Sequence, residues 1–156
     1  MTIRKGEDWG QPAVVPDGLA VVRSDEEAFA LLNAGPVPQA VGLLGGDLGR
    51  TVGASADPAR LRPGNHAIVA QVDVAIAVHD HGTHRFLAHG VLRRPWPLGS
   101  WWRGPLTGVF NAQYLSRWDV APRSHPNDGW LDVVEVDAAM GVRQRWRSEE
   151  HTSELQ

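Results

Sequence analysis

The amino-acid sequence predicts an α+β fold, in which a small α/β portion over residues 1–63 precedes an antiparallel β-domain over residues 64–146. Three observations predict this fold. A strand–helix–strand pattern ends in a glycine-rich loop, apolar residues then alternate with other residues along one segment, and short apolar runs follow between turns. The composition shifts near Pro63, which is where we place the boundary between the two parts.

The α/β portion begins with two short β-like runs, which flank a turn at residues 16–18. A helix is expected to open at Ser24, because serine is a good N-cap and Glu27 stands at the reciprocal position of a capping box. A Gly-Pro pair is expected to end this helix. A short apolar run over residues 40–44 suits a buried strand, and it leads into the glycine loop and a short helical turn.

The β-domain is predicted mainly from alternation. From Ile68 to Val78 every even-numbered residue is apolar, which predicts one strand with a strongly buried face. A turn over residues 79–83 is expected to join it to a return strand over residues 85–92. Two further strands are expected on either side of a turn region. The strands are predicted at residues 106–112 and 130–136, and the turn region at residues 122–129.

The composition argues against several classes of protein. The chain has 156 residues and no cysteine, which removes disulfides and thiolate metal sites. Its net charge is −3 with no basic cluster, so no nucleic-acid partner is expected. No apolar run approaches the roughly 18 residues that a membrane span needs, and the first residues lack the core of a signal peptide. A cytoplasmic location is therefore expected.

The segment Ser124–Trp130, S-H-P-N-D-G-W, is the most specific candidate for chemistry. Pro126 fixes its own φ, Asp128 can accept hydrogen bonds from nearby amides, and Gly129 permits a positive φ. Such a turn presents carbonyl groups and one carboxylate, and hard oxygen ligands of this kind suit Mg²⁺. The alternative is a plain turn between strands, in which Asp128 makes an Asx-type hydrogen bond.

The run from Phe110 to Val136 resembles the β-domain signature of the diacylglycerol kinase family of bacterial lipid kinases. That family's pattern is approximately N-G-x-Y-x-G-G-G-M-x-(I/V)-A-P-x-A-x-x-(D/N)-D-G-x-L-D-V. The matching positions are Asn111, Tyr114, Val120, Ala121, Pro122, Asp128, Gly129, Leu131, Asp132 and Val133. The resemblance implies a fold like that of NAD kinase and diacylglycerol kinase, with a truncated α/β portion and a β-sandwich-like domain. The chain departs from the pattern at residues 116–118, where the family has glycines.

The resemblance also implies a structural Mg²⁺ in the turn. Carried over by position, its ligands are the Asp128 side chain and the carbonyls of His125 and Trp130.

A second match lies at Gly45–Gly53, G-G-D-L-G-R-T-V-G, which is similar to the family's G-x-G-N-D-(F/L)-A-R-(S/T)-L-G. In the family this loop lies beside the nucleotide. The implied nucleotide-binding residues, with ATP as the nucleotide, are Gly45, Gly46, Asp47 and Arg50. Gly46 stands where the family has asparagine, which removes an amide donor and acceptor. The alternative is a strand-to-helix turn with Asp47 as the N-cap.

Two family elements are missing from the sequence, and they decide the expected function. There is no G-G-D-G-T phosphate loop, and no acidic D-G-E-like turn follows the last strand to supply the general base. Phosphoryl transfer depends on holding the phosphates and orienting the nucleophile. The resemblance, which covers residues 42–136, therefore implies a lipid-kinase-like protein that binds a lipid or nucleotide, or acts in regulation, without turnover. No catalytic residue is assigned.

Two alternative functions remain open from the sequence. The chain could be a fragment of an active ATP-dependent lipid kinase that phosphorylates a lipid hydroxyl. It could instead be an unrelated metal-dependent enzyme that uses His79, His81 and His84, since imidazole suits transition metals. A solvated hairpin turn is the other interpretation of these histidines.

Two segments lie outside these motifs. Trp96, Trp101 and Trp102 with neighbouring arginines could make a peripheral membrane contact, since tryptophan favours membrane interfaces; the alternative is a loop packed over the edge of the β-domain. The last ten residues, 147–156, look like the translation of a sequencing adapter, and we expect them to be disordered and foreign to the fold.

Overall fold

The structure is a computed structural model, and it describes residues 10–93 and 105–136. The tryptophan-rich loop from Arg94 and the tail over 147–156 lie outside the described residues. The described part is β-rich with two short α-helices. Its elements are β1 (Gln11–Val14), β2 (Ala20–Val22), α1 (Asp25–Asn33), β3 (Val41–Leu43), α2 (Gly46–Thr51), a 3-10 turn (Pro58–Leu61), β4 (His66–Val69), β5 (Ala75–His79), β6 (Gly82–Phe86), β7 (His89–Arg93), β8 (Leu106–Phe110), β9 (Tyr114–Leu115), β10 (Trp118–Asp119) and β11 (Asp132–Val136).

The predicted strand–helix–strand unit is present. Strand β2 pairs in parallel with β3, and α1 forms the connection between them. The Ser24 hydroxyl accepts a hydrogen bond from the Glu27 amide at 3.1 Å, which confirms the predicted N-cap. The Glu27 carboxylate turns back to the amide of Arg23 at 2.7 Å, one residue before the position that a standard capping box would use. Helix α1 buries Ala28 and Leu32.

Strand β1 pairs antiparallel with β4, with Gln11 opposite Val69 and Val14 opposite His66. Residues on the two sides of the predicted boundary near Pro63 thus share one small sheet. The remaining sheets are also antiparallel. Strands β11, β8 and β7 form a three-stranded sheet in that order, while β5–β6 and β9–β10 are separate hairpins.

The prediction of one continuous strand from Ile68 to Val78 is wrong. Residues 70–74 leave the strand geometry and separate β4 from β5. The predicted buried face is also lost, because the exposed fractions are 70% for Ile68, 59% for Ile76 and 78% for Val78. Val72 alone packs partly against the core.

The prediction of one return strand over residues 85–92 is wrong as well, because the chain leaves the β5–β6 hairpin at residues 87–88 and joins a different sheet. Asn111 explains both breaks. Its side-chain amide donates to the carbonyls of Asp73 at 3.0 Å and Leu87 at 2.9 Å, and its backbone N–H donates to the Ala88 carbonyl at 2.8 Å. The carbonyls of Asp73 and Leu87 are thereby satisfied without a strand partner, while the Ala88 bond continues the register of β7 with β8.

The hydrophobic core that positions the candidate sites lies between α2 and the β-domain. Leu48, Ala88 and Ala112 are its buried members. Leu43, Val52, Val72 and Leu87 pack against them. Among the described residues, no helix is long and apolar enough to cross a membrane.

Candidate functional sites

The glycine loop leads directly from β3 into α2. Gly45 occupies the N-cap position and has no side chain that could accept a hydrogen bond from the first helix amides. The cap comes from Asp25, whose carboxylate accepts from the amides of Asp47 at 2.6 Å and Leu48 at 3.3 Å. The alternative of a strand-to-helix turn is therefore confirmed, but Asp47 as its N-cap is wrong: α2 begins at Gly46, and a carboxylate 22 residues away accepts from the amides of Asp47 and Leu48.

Gly46 is required by the same contact. Its φ is +83°, in the left-handed region that glycine adopts without strain. A Cβ atom at this position would lie 2.7 to 2.9 Å from the Asp25 carboxylate atoms. The departure from the family's asparagine thus coincides with a position where a side chain would collide with Asp25.

The side chains of Asp47 and Arg50 both hold the tip of the β9–β10 hairpin. Each carboxylate oxygen of Asp47 lies 2.9 Å from the Ser116 amide nitrogen. Arg50 donates from Nη1 to the Ser116 carbonyl at 2.8 Å, and its guanidinium lies 4.2 Å from the centre of the Tyr114 ring. A hydrogen bond to a charged group and a cation–π contact both stabilise this joint. The structure therefore brings together two of the predicted nucleotide-binding residues, but around a protein group.

The β9–β10 hairpin was not predicted from the sequence. Leu115 pairs with Trp118, which leaves Ser116 and Arg117 as a two-residue loop. Ser116 has φ of +57° and is the non-glycine residue with a positive φ in the described ranges. Tight hairpin turns of this kind favour glycine, so a serine at this position gives no turn signal. This is the place where the family pattern has its glycines.

His89 is a further polar residue at this joint that sequence reasoning did not select. Its Nδ1 lies 3.7 Å from an Asp47 carboxylate oxygen and is buried without a hydrogen bond among the described residues. The Asp47 carbonyl accepts from the Thr51 hydroxyl at 2.8 Å, and that hydroxyl accepts from the Gln113 amide at 3.1 Å. The contacts of α2 with the β-domain are therefore mostly polar on this side.

The candidate metal turn has the local geometry that its sequence predicts. Gly129 has φ of +75°, and Asp128 accepts from the Trp130 amide at 2.9 Å, which is the Asx-type hydrogen bond of the plain-turn alternative. His125 accepts from the Asn127 amide through Nδ1 at 3.2 Å. Asp128 and Trp130 are exposed, and His125 is half-buried.

A second aspartate, Asp73, binds this turn from a distant segment of the chain. Its Oδ2 accepts from the Gly129 amide at 2.8 Å, and its own amide donates to the Pro126 carbonyl at 2.7 Å. Asp73 lies 56 residues before Gly129, in a segment that the sequence assigned to a strand. No local pattern could have identified this contact.

The donors at the turn suit Mg²⁺ better than a transition metal. One oxygen of the Asp128 carboxylate remains without a hydrogen bond from the described residues, and the other implied ligands are carbonyl oxygens. Within residues 10–93 and 105–136, no three His, Cys, Asp or Glu side chains are grouped so that they could hold a metal ion. A Mg²⁺ at this turn would be coordinated by one carboxylate, by carbonyl oxygens and by water.

The rings of the three histidines in the β5–β6 hairpin lie next to one another, and two of them are stacked. The rings of His79 and His84 are stacked 5.0 Å apart, His84 stacks on Phe29 at 5.7 Å, and His81 meets His79 edge-on at 5.8 Å. Nδ1 of His79 accepts from the His81 amide at 3.2 Å. All three histidines are exposed, as expected of a solvated hairpin turn.

Comparison with known proteins adds no relative: no family model, no curated protein and no solved structure matches the chain.

Proposed function

We propose that this chain is a diacylglycerol-kinase-like protein that binds a ligand or acts in regulation and does not itself transfer phosphoryl groups. One observation carries the proposal: the polar groups of the glycine loop that would meet a phosphate already have protein partners. The amides of Asp47 and Leu48 are bound to the Asp25 carboxylate, and the side chains of Asp47 and Arg50 are bound to Ser116.

The negative charge of the Asp25 carboxylate at the glycine loop supports the absence of phosphoryl transfer. A phosphate that approached the amides of Asp47 and Leu48 would meet the carboxylate of Asp25 in its place. Like charges at such a distance repel, and the effect is larger in a partly buried site than in water. Phosphoryl transfer relies on cationic and N–H groups that neutralise the phosphates. Of the two ligands that the resemblance implies, a lipid is therefore favoured over a nucleotide.

The matching test is a phosphoryl-transfer assay on the full chain. We expect no phosphorylated lipid above the blank when the protein is incubated with Mg²⁺, labelled ATP and dispersed diacylglycerol, and no ATP binding in equilibrium dialysis. An active bacterial diacylglycerol kinase serves as the positive control. ATP-dependent product that disappears in Asp47→Ala would contradict the proposal and establish the alternative, a piece of an active lipid kinase.

We further propose that the turn from Ser124 to Trp130 holds a structural Mg²⁺, with Asp128 as its carboxylate ligand. The support is the family-like pattern together with the oxygen donors that the turn presents. A bound Mg²⁺ would stabilise the turn by coordination.

Replacing Asp128 by alanine tests the metal directly. We expect the loss of stability to be about 1 kcal/mol larger in Mg²⁺ than in EDTA, because only the folded turn would bind the ion; this is roughly 3 °C in melting temperature. The matched control is Asp17→Ala, another aspartate that precedes a glycine of positive φ, Gly18 at +72°. Equal losses for Asp128→Ala in the two media would mean a plain turn held by the Trp130 hydrogen bond alone.

A further inference from the structure

Asp73 makes three hydrogen bonds, two of which reach the candidate metal turn. Its amide donates to the Pro126 carbonyl, its carboxylate accepts from the Gly129 amide, and its carbonyl accepts from the Asn111 side chain. The first two contacts lie on either side of Asp128. The turn is thereby bound to Asp73 on both sides of Asp128, and Asp73 is itself bound to the buried Asn111 side chain.

The ligands proposed for Mg²⁺ lie within one residue of these attachment points. His125 precedes Pro126, while Asp128 and Trp130 flank Gly129. Any rotation of the peptide at Gly129 would move the Trp130 carbonyl and the Asp128 side chain relative to each other. Mg²⁺ demands near-ideal octahedral geometry at short distances, so small displacements of its ligands lower its affinity.

We infer that Asp73 is a positioning residue for this Mg²⁺ site: its carboxylate holds the Gly129 amide and so sets the geometry in which the three ligands face the ion. The inference rests on the proposed function in taking Mg²⁺ as the ligand of the turn. It assigns to Asp73 a role that acts through hydrogen bonding to the backbone, comparable to the outer partners that orient metal ligands in other sites.

The experiment is a calorimetric titration of the full chain with Mg²⁺ alone, at a temperature well below unfolding. We expect Asp73→Ala to weaken Mg²⁺ binding at least tenfold, since such outer partners typically contribute about 10- to 100-fold in affinity. Asp73→Asn keeps an oxygen that can accept from Gly129, so we expect it to bind Mg²⁺ within about threefold of the wild type. That rescue, measured as a dissociation constant on folded protein, would not follow from a general loss of stability.

Asp57→Ala is the matched control, because the Asp57 carboxylate also accepts a backbone N–H, from Ala59 at 2.9 Å, but at the distant 3-10 turn. Its Mg²⁺ affinity should stay within about twofold of the wild type, since its carboxylate contacts no part of the metal turn. If Asp73→Ala does not fold, Asp73→Ser replaces it, because its shorter side chain does not reach the Gly129 amide.

The outcomes separate this inference from the proposed function. Wild-type affinity in Asp73→Ala, together with loss of binding in Asp128→Ala, would leave the metal site standing and overturn the positioning role. Equal weakening in Asp73→Ala and Asp73→Asn would also overturn it, because charge would then matter and the hydrogen bond would not. Absence of Mg²⁺ binding by the wild type would overturn both this inference and the proposed metal, while the phosphoryl-transfer assay would still judge the rest of the proposed function.

Discussion

Replacement of Asn111 by alanine should lower the free energy of unfolding by about 2 to 4 kcal/mol. The Asn111 side chain is fully buried, and its amide donates to the carbonyls of Asp73 and Leu87. Alanine would leave both carbonyls without that donor, and each buried unsatisfied acceptor costs about 1 to 3 kcal/mol. The loss is measured by equilibrium unfolding in urea.

The control for this prediction is Asn127→Ala. Asn127 lies in the Ser124–Trp130 turn, and its side chain makes no hydrogen bond among the described residues, so the loss of stability in Asn127→Ala should stay below about 0.5 kcal/mol. Asn111→Asp should be at least as harmful as Asn111→Ala, because the site uses the amide donor while the Asn111 Oδ1 has no partner among the described atoms. A loss below about 1 kcal/mol in Asn111→Ala would mean that the two strand breaks do not depend on this side chain.

Replacement of Gly46 by asparagine, the residue at this position in the lipid-kinase pattern, is expected to destabilise the protein by about 2 kcal/mol, because the new side chain would collide with the Asp25 carboxylate. In an Asp25→Ala background the same substitution should cost less, with a coupling of about 1 kcal/mol or more in a double-mutant cycle. Asp25→Ala alone removes a charged partner from two helix amides and should cost about 2 kcal/mol.

Gly53→Asn isolates the backbone contribution. Gly53 has a similar φ of +68°, but a Cβ there would meet nothing within 4 Å. Asparagine tolerates the left-handed region, so this control should cost about 1 kcal/mol or less. If Gly46→Asn and Gly53→Asn cost the same, backbone conformation would explain the glycine at position 46, and the contact with Asp25 would not. Urea unfolding of all variants provides the comparison.

The cycle also bears on the proposed function. The Asp25 carboxylate accepts from the loop amide of Asp47, and the glycine at position 46 leaves the space for this contact. On the proposed function, a phosphate would need the same amide. If the two positions are energetically coupled, the glycine at position 46 and the Asp25 contact form a single structural feature. In the same loop, Asp47 and Arg50 both bind the backbone of the β9–β10 hairpin.

Local patterns accounted for much of the framework. The Ser24 cap, the positive φ of Gly129 and the Asx-type bond of Asp128 each depend on residues within three positions of one another. Strands β8 and β11 likewise follow from short apolar runs next to turns, and they pair with Phe110 opposite Asp132. Such features depend on backbone φ, short-range hydrogen bonds and side-chain alternation, which the sequence specifies residue by residue.

The candidate sites were predictable only in part, because local patterns do not reveal partners that are distant in the sequence. The sequence selected Asp47, Arg50 and Asp128 as candidates, but the Ser116 backbone that binds Asp47 and Arg50, and the Asp73 carboxylate that binds the Gly129 amide beside Asp128, come from distant segments. Ser116 was hidden because it occupies a positive-φ turn position without being glycine or asparagine. Asp73 was hidden because it fell in the polar phase of an apparently regular strand.

The sequence by itself determined the N-cap of α1, the left-handed backbone at Gly129, and that short antiparallel strands follow one another in the described residues from β4 onward. Only the tertiary structure decided that Asp25 caps α2, that Asp73 binds the turn at Pro126 and Gly129, and that Asn111 donates to the carbonyls at two breaks in the predicted strands. The physical reason is the range of the interactions. Buried carbonyls and helix amides must find partners, and here the nearest available donors and carboxylates lie 22 to 56 residues away in sequence. No periodicity or local propensity records a choice of that kind.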